Sequence, residues 1–305
     1  VSANDYCFTA GYTAASAELR VRRSTNPLDP SAFDAHVALR TVTGGSSAVQ
    51  LVPYECNYAT YANDIGALHS DSTSLFYKYY DSLTATWGAS ETINTTGLAH
   101  VFNFRGTTTR ERNAVVFWTD ATTQTTLKYS VRSAGTAGTW STPATAVTNL
   151  TSGSTYAYSC TANLGSDDKI ILYYHNGTDI VYRIGTVTSA AISFGSEVIL
   201  ADTVSLKAST TLQAPVSSAK KFGVAYCTSD GIIKLATHTI APIEKGTTGV
   251  LVSQNSDTFN AISGLVPCIV RRGVLSFIAW LGREGYTMIN VYNSTTNSWV
   301  YTETA

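Results

Sequence analysis

Leu127-Lys-Tyr-Ser130, with Trp140 a short turn beyond it, reads as a strand of alternating character closed by an aromatic anchor. The opening recurs as Leu19-Arg-Val-Arg22, Leu75-Phe-Tyr-Lys78, Ile180-Val-Tyr-Arg183, Ile232-Ile-Lys-Leu235 and Tyr286-Thr-Met-Ile289, at steps of 56, 52, 53, 52 and 54 residues along the chain. A fixed period of this size marks stacked units, because one unit cannot bury its apolar face alone. Phe33, Trp87, Trp140, Phe194 and Trp299 follow five of the six openings, and each is suited to plug the gap between successive sheets.

A second strand precedes the opening, clearest in Ala114-Val-Val-Phe-Trp118, Ile170-Ile-Leu-Tyr-Tyr174, Phe222-Gly-Val-Ala-Tyr226 and Leu275-Ser-Phe-Ile-Ala-Trp280. The links between the two are hairpin chemistry: His175-Asn-Gly-Thr-Asp179, Thr228-Ser-Asp-Gly231 and Gly282-Arg-Glu-Gly285. Earlier still lies an inner strand, around Val52-Pro-Tyr-Glu-Cys56, His100-Val-Phe-Asn-Phe104, Tyr158-Ser-Cys-Thr161, Gln213-Ala-Pro-Val216 and Val266-Pro-Cys-Ile269. Pro53, Pro215 and Pro267 are read near the strand start, where proline is tolerated. An outer segment such as Ser196-Glu-Val-Ile-Leu200 completes four strands.

These elements predict an all-β fold: one six-bladed β-propeller over residues 1–305, built of four-stranded antiparallel blades of about 53 residues. The approximate blades are 1–45, 46–97, 98–150, 151–203, 204–256 and 257–305. No stretch keeps a 3.6-residue period with caps, so helix is expected to be close to absent. Blade 1 lacks an inner strand, and the chain stops just after Trp299 inside an outer strand. Residues before Val1, a three-stranded blade 1 or a strand donated by a partner would each account for it, the first being preferred; the partners expected are a strand donor or, separately, further copies in a homo-oligomer. The start at Val1, without Met or an export signal, suits a processed chain or an excised domain.

Composition narrows the partners. Twenty Lys plus Arg against 21 Asp plus Glu leave a net charge of −1, and no basic block could neutralise a row of phosphates, which points away from nucleic acid. The longest apolar run, Val274 to Gly282, is far short of a bilayer span, so no membrane insertion is expected. Cys7, Cys56, Cys160, Cys227 and Cys268 are widely spaced, and most of them read as small buried hydrophobes. His36, His69, His100, His175 and His238 are scattered, so neither a metal nor a cofactor is expected.

A glycoside hydrolase generally needs two carboxylates flanking the scissile bond. Only Glu55 falls on an inner strand, whereas Asp120, Asp179, Asp230 and Glu284 sit in turns. A sialidase-like enzyme would add Arg105 and Arg271 around a central channel, and Ser133-Ala-Gly-Thr-Ala-Gly-Thr-Trp140 keeps only part of the turn repeat of such enzymes. The sequence therefore points away from catalysis, with Glu55, Arg105 and Arg271 as the catalytic alternative. The binding alternative rests on Trp118, Tyr174 and Trp280 at matching strand ends, beside polar turns that include Asp120. Flat rings next to short polar groups suit sugar faces; the same rings also suit the wedge between blades. Trp87, Trp140 and Trp299 lean to packing.

The order of inner strand, Val115-Val-Phe-Trp118, Leu127-Lys-Tyr-Ser130 and Gly-Thr-Trp140 resembles that of the six-bladed fungal fucose-specific lectins, over the whole chain. The resemblance implies sugar held in clefts between blades by a repeated Arg, a Glu or Gln and an aromatic ring. At the equivalent strands this chain carries Val115, Leu172, Val224 and Phe277 in place of the Arg, so no fucose-binding residue is carried over. Propellers of phage tails and spikes look similar. Sequons at Asn94, Asn149, Asn176 and Asn293 fit a secreted glycoprotein. The reading is an extracellular, non-catalytic, lectin-like propeller with a glycan or glycoprotein partner; the alternatives are a hydrolase, or an attachment module of a larger assembly such as a virion surface.

Overall fold

The computed structural model describes residues 8–13, 17–26, 32–42, 47–54, 64–71, 74–95, 97–98, 103–134, 138–151, 157–162, 168–206, 212, 221–230, 232–239, 250–251, 268–272, 275–281, 287–293, 295–296 and 298–300. Among them there is no helix, and the strands form antiparallel sheets in chain order. Sheet 1 holds β1 (Phe8–Thr13), β2 (Glu18–Arg23) and β3 (Val37–Thr41). Sheet 2 holds β4 (Val49–Pro53), β5 (Ile65–Asp71), β6 (Ser74–Asp81), β7 (Thr86–Trp87) and β8 (Glu91–Asn94). Sheet 3 holds β9 (Phe104–Thr108), β10 (Ala114–Thr119), β11 (Leu127–Arg132) and β12 (Ala144–Val147). Sheet 4 holds β13 (Tyr158–Ala162), β14 (Lys169–His175), β15 (Ile180–Val187), β16 (Ile192–Phe194) and β17 (Val198–Ala201). Sheet 5 holds β18 (Lys221–Cys227), β19 (Ile233–Thr239) and β20 (Val250–Leu251). Sheet 6 holds β21 (Cys268–Arg272), β22 (Leu275–Leu281), β23 (Thr287–Asn293) and β24 (Ser298–Trp299).

The repeat is written into the pairing. At the strand opening the ladder slips by one residue in four sheets, between Leu19/Arg20, Leu75/Phe76, Leu127/Lys128 and Ile180/Val181. The outer strand carries the extra residue, which is Leu39, Ile93, Ala146 or Leu200. All four are buried. Such a bulge bends the outer strand and tightens its twist, so the slip ties a sequence period to a shape that recurs sheet by sheet.

The chain divides into two compact units: Val1–Thr148 with Val187–Ser193, and Asn149–Thr186 with Phe194–Ala305. In the first, Leu75, Tyr77 and Tyr79 of β6 pack with Val116 and Trp118 of β10, whereas Ala67 of β5 joins Leu19, Val21 and Leu39 of sheet 1. In the second, Val224 and Tyr226 of β18 pack with Ile171 and Tyr173, while Ala225 and Cys227 pack with Ile278 and Trp280. Alternate residues of one strand thus enter two cores, which is why these strands read as nearly unbroken apolar runs.

The aromatic anchors behave as packing predicts in three sheets. Trp87 reaches Phe8 of sheet 1 at 6.5 Å, Trp140 lies edge-on to Tyr77 of sheet 2 at 5.3 Å, and Trp299 joins the core shared by sheets 5 and 6. Phe33 and Phe194 instead carry the guanidinium groups of Arg22 and Arg183 of their own sheets, at 4.4 and 5.0 Å.

Two strand assignments shift. The inner strand of sheet 3 runs Phe104–Thr108, starting where 100–104 was expected to end, and this puts Arg105 on it. Pro53 ends β4 rather than starting it; β4 is an edge strand, so its missing N–H costs no ladder bond. Sheet 1 has three strands among the described residues. Cys160 and Cys227 are buried free thiols; Cys7 and Cys56 lie outside the described residues, as do the side chain of Cys268 and the inner segment 213–216.

His69 on β5 is buried, donates from Nδ1 to the Ala67 carbonyl at 3.2 Å and stacks on Phe76. Burial, reinforced by the charges of Arg40 and Lys78, lowers its pKa to about 4. An unfolded histidine titrates near about 6.5, so over this window the unfolded chain takes up a proton that the folded chain refuses, and stability falls with pH. Denaturant unfolding from pH 7.5 down to 4 is expected to show a decline that is shallower by about one proton in His69→Gln. Equal slopes for the two proteins would remove this role from His69.

Candidate functional site

Sheet 4 gathers polar groups where β14 turns into β15. Tyr174, one residue before the end of β14, has its ring buried and its hydroxyl donating to Glu197 Oε2. Asn176 Nδ2 donates to Glu197 Oε1 at 2.8 Å, and its Oδ1 accepts from the amides of Thr178 (3.2 Å) and Asp179 (2.9 Å), which builds the turn. Asn149 also hydrogen-bonds Glu197, and the charge of Arg183 acts on it. Arg183 Nε donates to the Gly195 carbonyl at 2.9 Å while its guanidinium covers Phe194. The strap at 149–151 is held by His175, whose Nε2 donates to the Val204 carbonyl at 2.7 Å and whose Nδ1 faces the Thr151 hydroxyl.

Partial burial alone would raise the Glu197 pKa; hydrogen bonds from Tyr174, Asn176 and Asn149, with Arg183, outweigh it and hold the carboxyl below its ordinary range. The Tyr174 phenol is pushed up by burial and by that carboxylate. The result is an exposed, ionised acid with a ring-backed arginine and two amides around it, a set suited to hydroxyl-rich ligands.

The seam between sheets 2 and 3 uses the same residue types to opposite effect. Arg132, fully buried, grips both oxygens of Glu91 at 2.7 Å, and Trp140 Nε1 donates to Glu91 Oε2 at 2.8 Å. The guanidinium lies 5.2 Å from the rings of Tyr77 and Tyr79. Burial opposes its charge, yet Glu91 keeps it firmly protonated. Tyr54 and Tyr77 share a 2.5 Å hydrogen bond beneath it, and burial takes Tyr54 up to about 12. Glu91 and Glu197 both follow a serine in Ser-Glu-X-Ile, but the register aligns Glu91 with Val198. That offset of one residue turns Glu197 to the opposite face of its sheet.

Of the expected ligand-binding residues, Tyr174 belongs to this cluster. Trp118 and Trp280 lie in hydrophobic cores at 2% and 8% exposure, where they fill the wedge and present no open ring face. Asp120 caps its own turn, accepting from the amides of Thr122 (2.9 Å) and Thr123 (3.2 Å). For the catalytic alternative, Arg105 Nη1 donates to the Phe104 carbonyl at 2.7 Å, Arg271 pairs through its backbone with Ser276 on β22, and Glu55 and the Arg271 side chain lie outside the described residues. Arg183 lies one strand later than the arginine that the lectin resemblance implies, and the only sequence signal for Glu197 is the Ser-Glu-X-Ile that it shares with Glu91. Among the sequons, Asn149 is exposed, Asn94 is buried, Asn176 and Asn293 hold turns.

No protein-family model matches the sequence, and no curated protein matches it either. Solved structures do. A lectin of Burkholderia pseudomallei superposes with TM-score 0.70 at 14% identity, over 96% of this chain and 78% of that one. The lectin SapL1, in complex with alpha methyl fucoside, gives 0.52 at 12% over 98% and 95%. The fungal lectin of Aleuria aurantia, a six-bladed β-propeller with fucose recognition, gives 0.51 at 11% over 98% and 91%. At such identities the likeness establishes the fold alone: antiparallel propeller sheets of the kind found in fucose-specific lectins.

Glu91→Gln is expected to destabilise the protein by about 3–5 kcal/mol, since it strips a buried guanidinium of its counter-charge. Glu197→Gln, at an exposed position where the amide oxygen still accepts from Tyr174, should cost less, about 1 kcal/mol. Denaturant unfolding of both variants checks the contrast.

Proposed function

We propose that the chain is a glycan-binding, lectin-like propeller whose six sheets are blades of one ring, exported from the cell and binding sugar without a catalytic step. The observation that carries the reading is the sheet 4 cluster, where Glu197, Arg183, Phe194, Tyr174 and Asn176 converge at an exposed strand end. A carboxylate offers about four lone-pair sites, of which Tyr174, Asn176 and Asn149 each use one, so acceptor capacity remains for a sugar hydroxyl. Asn149 and the stacked Arg183–Phe194 pair supply amide donors and a flat flank.

The six-fold period and the lectin neighbours support the ring and the ligand class; the neighbour bound to a methyl fucoside makes neutral deoxy sugars the first to try.

A glycan array followed by calorimetric titration tests the reading. Neutral saccharides are expected to bind, with affinity falling about tenfold or more in Glu197→Ala and in Arg183→Ala, each removing a charge-assisted hydrogen bond. An array without binding, or binding indifferent to both substitutions in folded protein, overturns it.

A further inference from the structure

Sheet 1 differs from sheets 3 and 4 in being two-faced. Burial along β2 alternates, with Leu19 and Val21 in the core and Arg20 and Arg22 on the other side. Register places Thr9 opposite Arg22, Gly11 opposite Arg20 and Thr13 opposite Glu18, so all six share the polar face. With His36, residues of this face line a cavity of about 340 Å³, within the size range of small-ligand sites.

The groups lining it are unequally committed. Arg20 is tied to Glu18 Oε2 through Nε at 2.9 Å and Nη2 at 2.8 Å. Arg22 is exposed and rests 4.4 Å over the Phe33 ring, and among the described residues it makes no hydrogen bond or ion pair. The Thr9 and Thr13 hydroxyls and the His36 ring likewise have no hydrogen-bond partner there. Among the described residues, the local charge left uncompensated is therefore that of Arg22, oriented by a ring rather than by an acid.

Gly11 supplies the independent observation. A Cβ at this position would meet nothing within 4 Å, and its backbone is not in the left-handed region, so neither packing nor conformation demands glycine. Glycine inside a strand weakens it and often marks a place where something approaches closely. Here the missing side chain keeps the cavity floor open.

We propose that this cavity binds the anionic group, carboxylate or sulfate, of an acidic saccharide. Arg22 takes the oxyanion through its forked donors, and Thr9, Thr13 and His36 hydrogen-bond the neighbouring hydroxyls. The saccharide part rests on the glycan-binding reading above; the anion part rests on the cavity.

The full chain is titrated with methyl glucuronide, glucose 6-sulfate and neutral methyl glucoside. The charged sugars are expected to bind at least about tenfold tighter than the neutral one, and whichever is tighter identifies the group. Arg22→Gln should remove that preference. Gly11→Val should fold with unchanged or raised melting temperature and lose the charged sugars; Arg22→Gln alone decides if the valine variant fails to fold. Equal binding of neutral and charged sugars, or a preference that survives Arg22→Gln or a folded Gly11→Val, overturns the proposal. Glu197-dependent neutral binding without anion binding overturns the cavity alone, and a chain that binds neither overturns both readings.

Discussion

The one-residue slip of the outer strand against a buried aliphatic is the constraint from which the other features follow. Leu19, Leu75, Leu127 and Ile180 each face two outer residues where the ladder allows one, and the surplus residue is apolar and buried every time. A slip at that point decides which outer side chains face the next core and which face away. It also fixes the residue two places on, Tyr77, Tyr129 or Tyr182, whose ring is buried. Within each unit that ring is covered from the following sheet at an equivalent position, by Arg132 over Tyr77 at 5.2 Å and by His238 over Tyr182 at 4.1 Å. One geometric slot thus holds a cation in one seam and a flat imidazole in another, with the cation balanced by Glu91.

The period, the absence of helix among the described residues and the placing of the Trp anchors were legible in sequence because they are local patterns. Strand edges were less so: the inner strand of sheet 3 moved by several residues, since its polar run Arg105-Gly-Thr-Thr108 lacks the alternation that marks a half-buried strand. Of the candidate site, Tyr174 was visible as a strand-end ring, whereas Glu197 was not. Its meaning depends on register, and a sequence motif shared with Glu91 conceals a change of face. Trp118 illustrates the converse: a ring at a strand end is a platform or a wedge according to the neighbouring sheet, which no local pattern records.

The two acidic sites show how a repeat diversifies without altering its frame. In the seam of sheets 2 and 3 the carboxylate is saturated by a buried guanidinium and an indole, so it contributes specificity of packing and is closed to ligand. On sheet 4 the offset carboxylate meets a phenol and amides at the surface and keeps acceptor capacity. Sheet 1 goes further, with one face of its β1–β2 ladder given to Thr, Gly, Arg and Glu. A strand that must fill two cores cannot make that change, because a buried charge needs a counter-charge. The sheet whose β2 has only one apolar face is therefore where polar and charged side chains are carried at least cost to stability, as Arg20 and Arg22 are.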